Sequence, residues 1–149
     1  DAAHKRMLEN LHKGIALPVD LKDQTIYFAG PAPAKPNEPI GSVGPTTSYR
    51  MDAYSPETIE LGLTCMIGKG ARSKEVVDAM KKYGAVYIGA VGGAGALISQ
   101  CVKKCEVVDY ADLGSEAIHR LEVVDFPGIV IIDSEGNNLY ETEPPKYKK

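Results

Sequence analysis

No stretch of this chain approaches the ~18 to 20 consecutive apolar residues needed to span a bilayer, and its N-terminus shows neither an apolar signal core nor a cleavage pattern. The expectation is a protein without membrane contact, placed in the cytoplasm. Cysteine is scarce. Cys65, Cys101 and Cys105 are odd in number and include no C-x-x-C pair, which supports neither a disulfide framework nor a zinc site. Cys101 and Cys105 would be one helical turn apart and could chelate, but two ligands do not close a site, so free buried thiols are expected. His4, His12 and His119 are too scattered for a metal trio. An excess of positive charge is missing too. With 17 Lys and Arg against 20 Asp and Glu the formal charge is -3, which excludes a broad nucleic-acid face. Only Lys146 to Lys149 are locally basic, and residues 140–149 read as a solvated tail. There is no internal repeat.

What remains is the composition of an ordinary globular domain: 149 residues, 44% hydrophobic and 25% charged. A chain of that length buries about two-thirds of its unfolded surface, so one domain over 1–149 is the expectation. Apolar positions Met7, Leu8 and Leu11 share a face of a helix predicted over Ala2 to Lys13, with Asp1 as cap and Gly14 as stop. Thr25 to Ala29 reads as a strand. Pro31, Pro33, Pro36 and Pro39 then forbid helix interior and central strand alike, leaving a stiff extended loop that delivers the chain to Gly41. Ser55, Pro56 and Glu57 open a short helix with Ile59, Leu61 and Leu63 on its apolar face. Thr64 to Ile67 is a buried strand, Lys74 to Tyr83 a helix capped by Ser73 and stopped by Gly84, and Ala85 to Ala90 a strand. A helix is expected from about Leu97 to Lys103, then strands at Glu106 to Tyr110, Leu121 to Val124 and Gly128 to Asp133. Ser134 to Asn137 reads as a hairpin turn returning through Leu139 and Tyr140. Strands alternating with helices imply an α/β layered domain with a mixed sheet.

Gly41 to Asp52, GSVGPTTSYRMD, breaks this periodicity. Gly41 and Gly44 permit positive φ or close approach, and Pro45 drives Gly44 out of the helical region. Thr46, Thr47 and Ser48 offer successive hydroxyls and, if a helix starts there, free N–H groups that attract anions. On one turn of helix Arg50 would share a face with Thr46, a pairing suited to a carboxylate or phosphate. The competing reading is a helix cap beside a surface arginine. Lys69, between Gly68 and Gly70 at a strand end, can reach into a crevice, although taken alone a plain turn with an exposed lysine accounts for it better. Its surroundings do not match a P-loop. The run Gly92, Gly93, Ala94, Gly95, Ala96 resembles a phosphate cradle but misses the G-x-G-x-x-G spacing, so close strand-to-helix packing explains it better. His4 and Lys5 could be surface groups or face a site.

Asp1 to Met7 (DAAHKRM), Tyr27 to Pro33 (YFAGPAP), Ile40 to Asp52 (IGSVGPTTSYRMD), Gly68 to Gly70 (GKG) and Val123 to Pro127 (VVDFP) occur in an order that resembles one family. It is that of the β subunit, or C-terminal domain, of the iron-sulfur hydro-lyases: class I fumarate hydratase and L(+)-tartrate dehydratase. The resemblance covers Asp1 to about Tyr140. It implies a swivelling β/β/α three-layer fold and an α subunit that carries a [4Fe-4S] cluster, the two chains forming a hetero-oligomer. It further implies reversible hydration of a dicarboxylate, fumarate to malate, or dehydration of tartrate. By position Thr46 corresponds to the family's proposed catalytic base, Arg50 to its substrate-carboxylate arginine and Lys69 to a lysine of the same pocket; Thr46 and Lys69 are expected to be catalytic, and the neighbouring hydroxyls of Thr47 and Ser48 to bind substrate beside Arg50. The family carries an arginine directly before DAAHKR, so a preceding stretch with that residue is expected ahead of Asp1. The reading from another class is a noncatalytic domain that binds small anions and regulates a partner.

Overall fold

A computed structural model describes residues 1–91 and 93–147, which fall into two compact units. Gly92, Lys148 and Lys149, members of the glycine run and of the basic tail, lie outside the described residues.

The sheet unit comprises Leu21–Phe28, Thr47–Ala90 and the chain from Gly128 on. Its four strands are β1 (Thr25–Tyr27), β2 (Cys65–Gly68), β3 (Val86–Gly89) and β6 (Ile129–Ile132), in the order β1-β2-β3-β6. The first three run parallel, with Ile26 opposite Met66 and Met66 opposite Tyr87, and β6 adds an antiparallel edge. This is the mixed sheet and α/β class expected from the sequence. Parallel neighbours need a crossover, supplied between β2 and β3 by α3 (Lys74–Tyr83). Both ends of α3 are local: Ser73 Oγ accepts the Val76 N–H at 3.4 Å, and Gly84 adopts the left-handed conformation at φ 83°. Its Val76 and Met80 are fully buried in a core with Ile59, Leu63, Met66, Tyr87 and Ile132, each such apolar side chain contributing ~1.5 to 3 kcal/mol. The expected return strand after Ser134 to Asn137 is absent. A single bridge joins Ile132 to Asn138, and Asn138 Oδ1 then accepts the Tyr140 N–H at 3.0 Å, opening helix α5 (Leu139–Thr142) instead. Pro144–Tyr147 forms a further turn of helix, α6.

The second unit comprises Asp1–Asp20, Ala29–Thr46 and Val91–Pro127. Helix α1 (Ala2–His12) buries His4, Met7 and Leu8. Lys5 is exposed, 4.0 Å from Glu9. Arg6 grips Asp112 through two hydrogen bonds of 2.7 and 2.8 Å and lies 4.9 Å from the Tyr110 ring, tying α1 to the 3₁₀ stretch Ala111–Glu116. Helix α4 (Gly95–Ser99) is shorter than expected, because Val102 already starts a strand. That strand, β4 (Val102–Asp109), pairs antiparallel with β5 (Ile118–Val123), setting Cys105 opposite Leu121 and Glu106 opposite Arg120. The β-branched run after Lys104 prefers the ladder, and pairing with β5 overrides the helical spacing of Leu97 to Lys103. Among the described residues no helix is long and apolar enough to cross a membrane.

Candidate functional site

The carboxyl ends of parallel strands are where open α/β sheets place ligands, and β2 ends at Gly68, Lys69, Gly70. The segment Thr47 to Met51 lies alongside that end. Thr47 forms a parallel bridge with Lys69, and the Ser48 N–H donates to the Lys69 carbonyl at 2.9 Å. Because Thr47 is recruited to this pairing it stays extended (φ -60°, ψ 119°), and a 3₁₀ helix begins only at Ser48, running to Met51. The turn of helix expected to carry Thr46 and Arg50 on one face is therefore not formed. Arg50 instead occupies the third position of the 3₁₀ helix. Arg50 and Lys69 both expose their side chains, while Thr47 is half-buried. Two cations on backbone segments joined in this way suit an anion with more than one carboxylate.

What lies beneath these side chains holds their backbones still. Ser48, expected among the substrate-binding hydroxyls, is fully buried, and its Oγ lies 2.8 Å from the Tyr87 hydroxyl. The same Tyr87 oxygen is 2.9 Å from the Gly70 carbonyl. Tyr87 has one proton and a carbonyl only accepts. Tyr87 therefore donates to Gly70, and Ser48 donates to Tyr87. Burial pushes the Tyr87 hydroxyl above its ordinary pKa, against the opposing effects of Ser48 and Arg72, so it remains a donor at neutral pH. Gly68 has no alternative here, since a Cβ at this position would collide with Ser48 Oγ.

The far end of the 3₁₀ helix is tied down by Arg72. Its side chain is wholly buried. Nε donates to Asp52 Oδ1 at 2.8 Å, Nη2 to Ser55 Oγ at 2.7 Å, and the guanidinium carbon sits 5.2 and 5.0 Å from the Phe28 and Tyr87 ring centres. Asp52 Oδ2 also accepts the Ser73 N–H at 2.8 Å, and the Ser55 hydroxyl donates to the Met51 carbonyl at 3.0 Å. Helix α2 (Ser55–Glu60) therefore starts at Ser55 as expected, but the Ser55 hydroxyl serves this network instead of capping. Sequence reasoning missed Tyr87 and Arg72. The Asp52 partner lay within the GPTTSYRMD motif, but nothing local marks Arg72 as buried or Tyr87 as bonded.

Thr46 closes the second unit, half-buried, one peptide bond before Thr47. The loop that leads to it is laced by backbone bonds: Ala32 N–H to Ser42 O at 2.9 Å, Val43 N–H to Gly95 O at 3.1 Å, and an antiparallel bridge between Ala29 and Pro45. A Cβ on Gly41 would strike the Ala32 and Pro33 carbonyls, and one on Gly95 would strike Ser42 Oγ and the Gly44 nitrogen. Close packing thus accounts for Gly41 and for Gly95 of the stretch that resembled a phosphate cradle, whereas Gly93 adopts φ 79° with open space where a Cβ would lie.

Two features stand apart from this chemistry. Cys65 lies on β2, Cys101 after α4 and Cys105 on β4; burial raises the Cys65 thiol, opposed by the Thr25 hydroxyl, and burial raises Cys105 also. Among the described residues no three His, Cys, Asp or Glu side chains come together to hold a metal ion. The donor set of these residues does not fit an iron-sulfur cluster, whose ligands are normally thiolates in proximity. A shallow cavity of about 480 Å³ opens between α2 and α3, lined by Pro56, Glu57, Glu60, Asp78, Ala79, Lys82 and Tyr83. Its three carboxylates make it unsuited to a dicarboxylate anion, and the carboxyl half of α3 leads toward the opposite end of the parallel strands from Lys69.

Comparison with known proteins identifies the family of the chain. A family model described as the fumarase C-terminus matches residues 1–143. The chain is 42% identical over 143 residues to the aerobic class I fumarate hydratase of Salmonella typhimurium, covering 95% of this chain and 25% of that protein. It is 43% identical over 147 residues to the mitochondrial fumarate hydratase 1 of Leishmania major, covering 95% and 26%. A Methanocaldococcus jannaschii protein provisionally named L(+)-tartrate dehydratase subunit beta is 42% identical over 147 residues, and here the match covers 95% of this chain and 75% of the relative. The chain spans about a quarter of the length of the fumarate hydratases it matches. It belongs to the fumarase C-terminus family.

Proposed function

We propose that this member of the fumarase C-terminus family is the β component of a two-subunit iron-sulfur hydro-lyase, fumarate hydratase being the favoured activity: fumarate plus water to L-malate, reversibly. The carrying observation is the pairing of the Thr47 to Arg50 segment with Lys69 at the carboxyl end of β2. Arg50 grips one substrate carboxylate through its planar fork, which accepts two oxygens at once. Lys69 supplies a point charge, and Thr47 a hydroxyl beside it. Ser48 contributes from below by fixing the backbone, since its own hydroxyl is occupied by Tyr87. Thr46 exchanges the proton at the substrate carbon. A threonine hydroxyl is a very poor base in water, so this role requires nearby cations and a dry site to stabilise its alkoxide.

The [4Fe-4S] cluster belongs, on this reading, to the α subunit, and no step is assigned to iron on this chain. The assembly is a cytoplasmic hetero-oligomer in which the whole of this chain acts as one module. Dehydration of L(+)-tartrate is the second reading, since the match covers 75% of a relative provisionally named for it. Both substrates are four-carbon dicarboxylates and differ by hydroxyl groups.

The test is reconstitution with a cluster-bearing α subunit and assay on fumarate, malate and tartrate. Arg50→Lys should lower kcat/KM by about tenfold or more, because lysine cannot make the paired hydrogen bonds. A change within about twofold, less than ~0.5 kcal/mol, removes Arg50 from the substrate. Exchange of the carbon-bound hydrogen with deuterated water separates the two threonines: Thr46→Val should slow it ~100 to 10,000-fold, the range of a positioned acid-base group, and Thr47→Val far less. Wild-type exchange in Thr46→Val would make Thr46 a structural residue.

A further inference from the structure

Tyr87 is fully buried and belongs to the apolar core cluster, where a phenylalanine ring would pack as well. A buried hydroxyl is destabilising unless it is bonded. Both bonds of the Tyr87 hydroxyl go to segments that carry proposed substrate ligands: 2.9 Å to the Gly70 carbonyl, directly after Lys69, and 2.8 Å to Ser48 Oγ, two residues before Arg50. Lys69 is thereby bracketed. On one side Gly68 is pressed against Ser48 so closely that no Cβ fits, and on the other Gly70 holds φ at +86° with its carbonyl clamped by Tyr87. A glycine in that conformation can relax to negative φ at little steric cost, so its geometry depends on the groups that bind its carbonyl. The Lys69 carbonyl takes the Ser48 N–H at 2.9 Å, closing the ring of contacts. Lys69 itself is a flexible side chain whose reach depends on where its backbone is set.

We propose that Tyr87 is a positioning residue for Lys69: its hydroxyl, through Gly70 and Ser48, fixes the backbone from which Lys69 meets one carboxylate of the substrate. This rests on Lys69 being a dicarboxylate ligand, as read above. Loss of the hydroxyl lets the Gly70 carbonyl turn and moves the ammonium group, while the ring still packs beside Arg72.

A double-mutant cycle in the reconstituted two-subunit enzyme tests this, with initial rates on malate and fumarate for wild type, Tyr87→Phe, Lys69→Ala and the pair. Tyr87→Phe should lower kcat/KM about tenfold, most of it as a raised KM, because a carboxylate contact present in both ground and transition state is uniform binding. In the Lys69→Ala background the same substitution should change kcat/KM by less than about twofold, since residues acting as one unit are non-additive. A purely structural role would give the same loss in both backgrounds, and that additive result overturns the proposal, as does a silent Tyr87→Phe. If Lys69→Ala alone leaves kcat/KM unchanged, Lys69 is not a ligand, and the proposal falls together with that part of the functional reading. A damaging Lys69→Ala with an additive Tyr87→Phe overturns the proposal alone. Should Tyr87→Phe fail to assemble, Ser48→Ala, which removes the donor to Tyr87 and keeps the ring and its hydroxyl, runs through the same cycle with the same expected non-additivity.

Discussion

Replacing Arg72 with methionine probes the network under the site directly. The perturbation removes a fully buried guanidinium and leaves Asp52, whose side chain is 16% exposed, without its cation. Breaking a buried pair from one side typically costs ~3 to 5 kcal/mol, because the remaining charge is stranded. Asp52 keeps the Ser73 N–H at 2.8 Å and some access to water, which places the loss near the lower bound, about 3 kcal/mol. Methionine fills much of the space between the Phe28 and Tyr87 rings, so a cavity adds little. At ~2 to 4 °C per kcal/mol for a chain of this length, the melting temperature should fall by about 6 to 12 °C. Urea unfolding followed by far-UV circular dichroism measures the free-energy loss, with the slope m unchanged, and a thermal melt measures the temperature shift. Arg72→Lys should recover only part of the loss, since one ammonium cannot reproduce the bonds to both Asp52 and Ser55. Arg72→Met combined with Asp52→Asn should be more stable than Arg72→Met alone, because the stranded charge is gone. A loss below about 1 kcal/mol in Arg72→Met, or a double variant less stable than the single one, would refute the assignment of a stranded carboxylate.

Gly68→Ala should destabilise the sheet unit by ~1 to 3 kcal/mol through overpacking, since the new methyl meets Ser48 Oγ and comes to 3.0 Å from the Phe28 ring. In a Ser48→Ala background, where the hydroxyl is gone, the same change should cost less than half as much, and an equal cost would show that Ser48 is not the obstacle. Asp133 predicts an acid effect: its carboxylate accepts from the Asn137 side chain at 2.9 Å and from the Asn137 and Glu135 N–H groups at 3.0 Å, which holds it below the usual carboxylate range. A depressed carboxylate contributes stability that is complete above its unfolded value of ~3.9 and is lost as pH falls through the folded value. The stability difference between wild type and Asp133→Asn should therefore shrink as pH drops from about 5 to about 3, and a difference independent of pH in urea melts would exclude this role.

Helix α3 shows how far sequence alone reaches. Ser73, Gly84 and the spacing of Val76 and Met80 act within one or two turns, and the observed helix has the predicted ends. The β2 and β3 strands were legible for the same reason, as short apolar runs closed by glycine, and GPTTSYRMD and GKG could be read as candidates before their placement was known. Where α4 ends and β4 begins was decided by pairing with β5, a partner some twenty residues on, and no local signal competes with a ladder. The same holds at the site. Thr47 stays extended because Lys69, 22 positions later in the chain, offers it a bridge, and that postpones the helix to Ser48. Ser48 looked like a substrate hydroxyl in sequence because its exposure depends on Tyr87, 39 positions away. Nothing local distinguishes Arg72 from other charged residues, yet Asp52, Phe28 and Tyr87 enclose it. Residue type and spacing determined which chemistry was available to this chain. Which of those groups meet solvent and which are consumed in holding the others was settled by packing between segments distant in sequence, whose contacts depend on sheet order and register and leave no local trace.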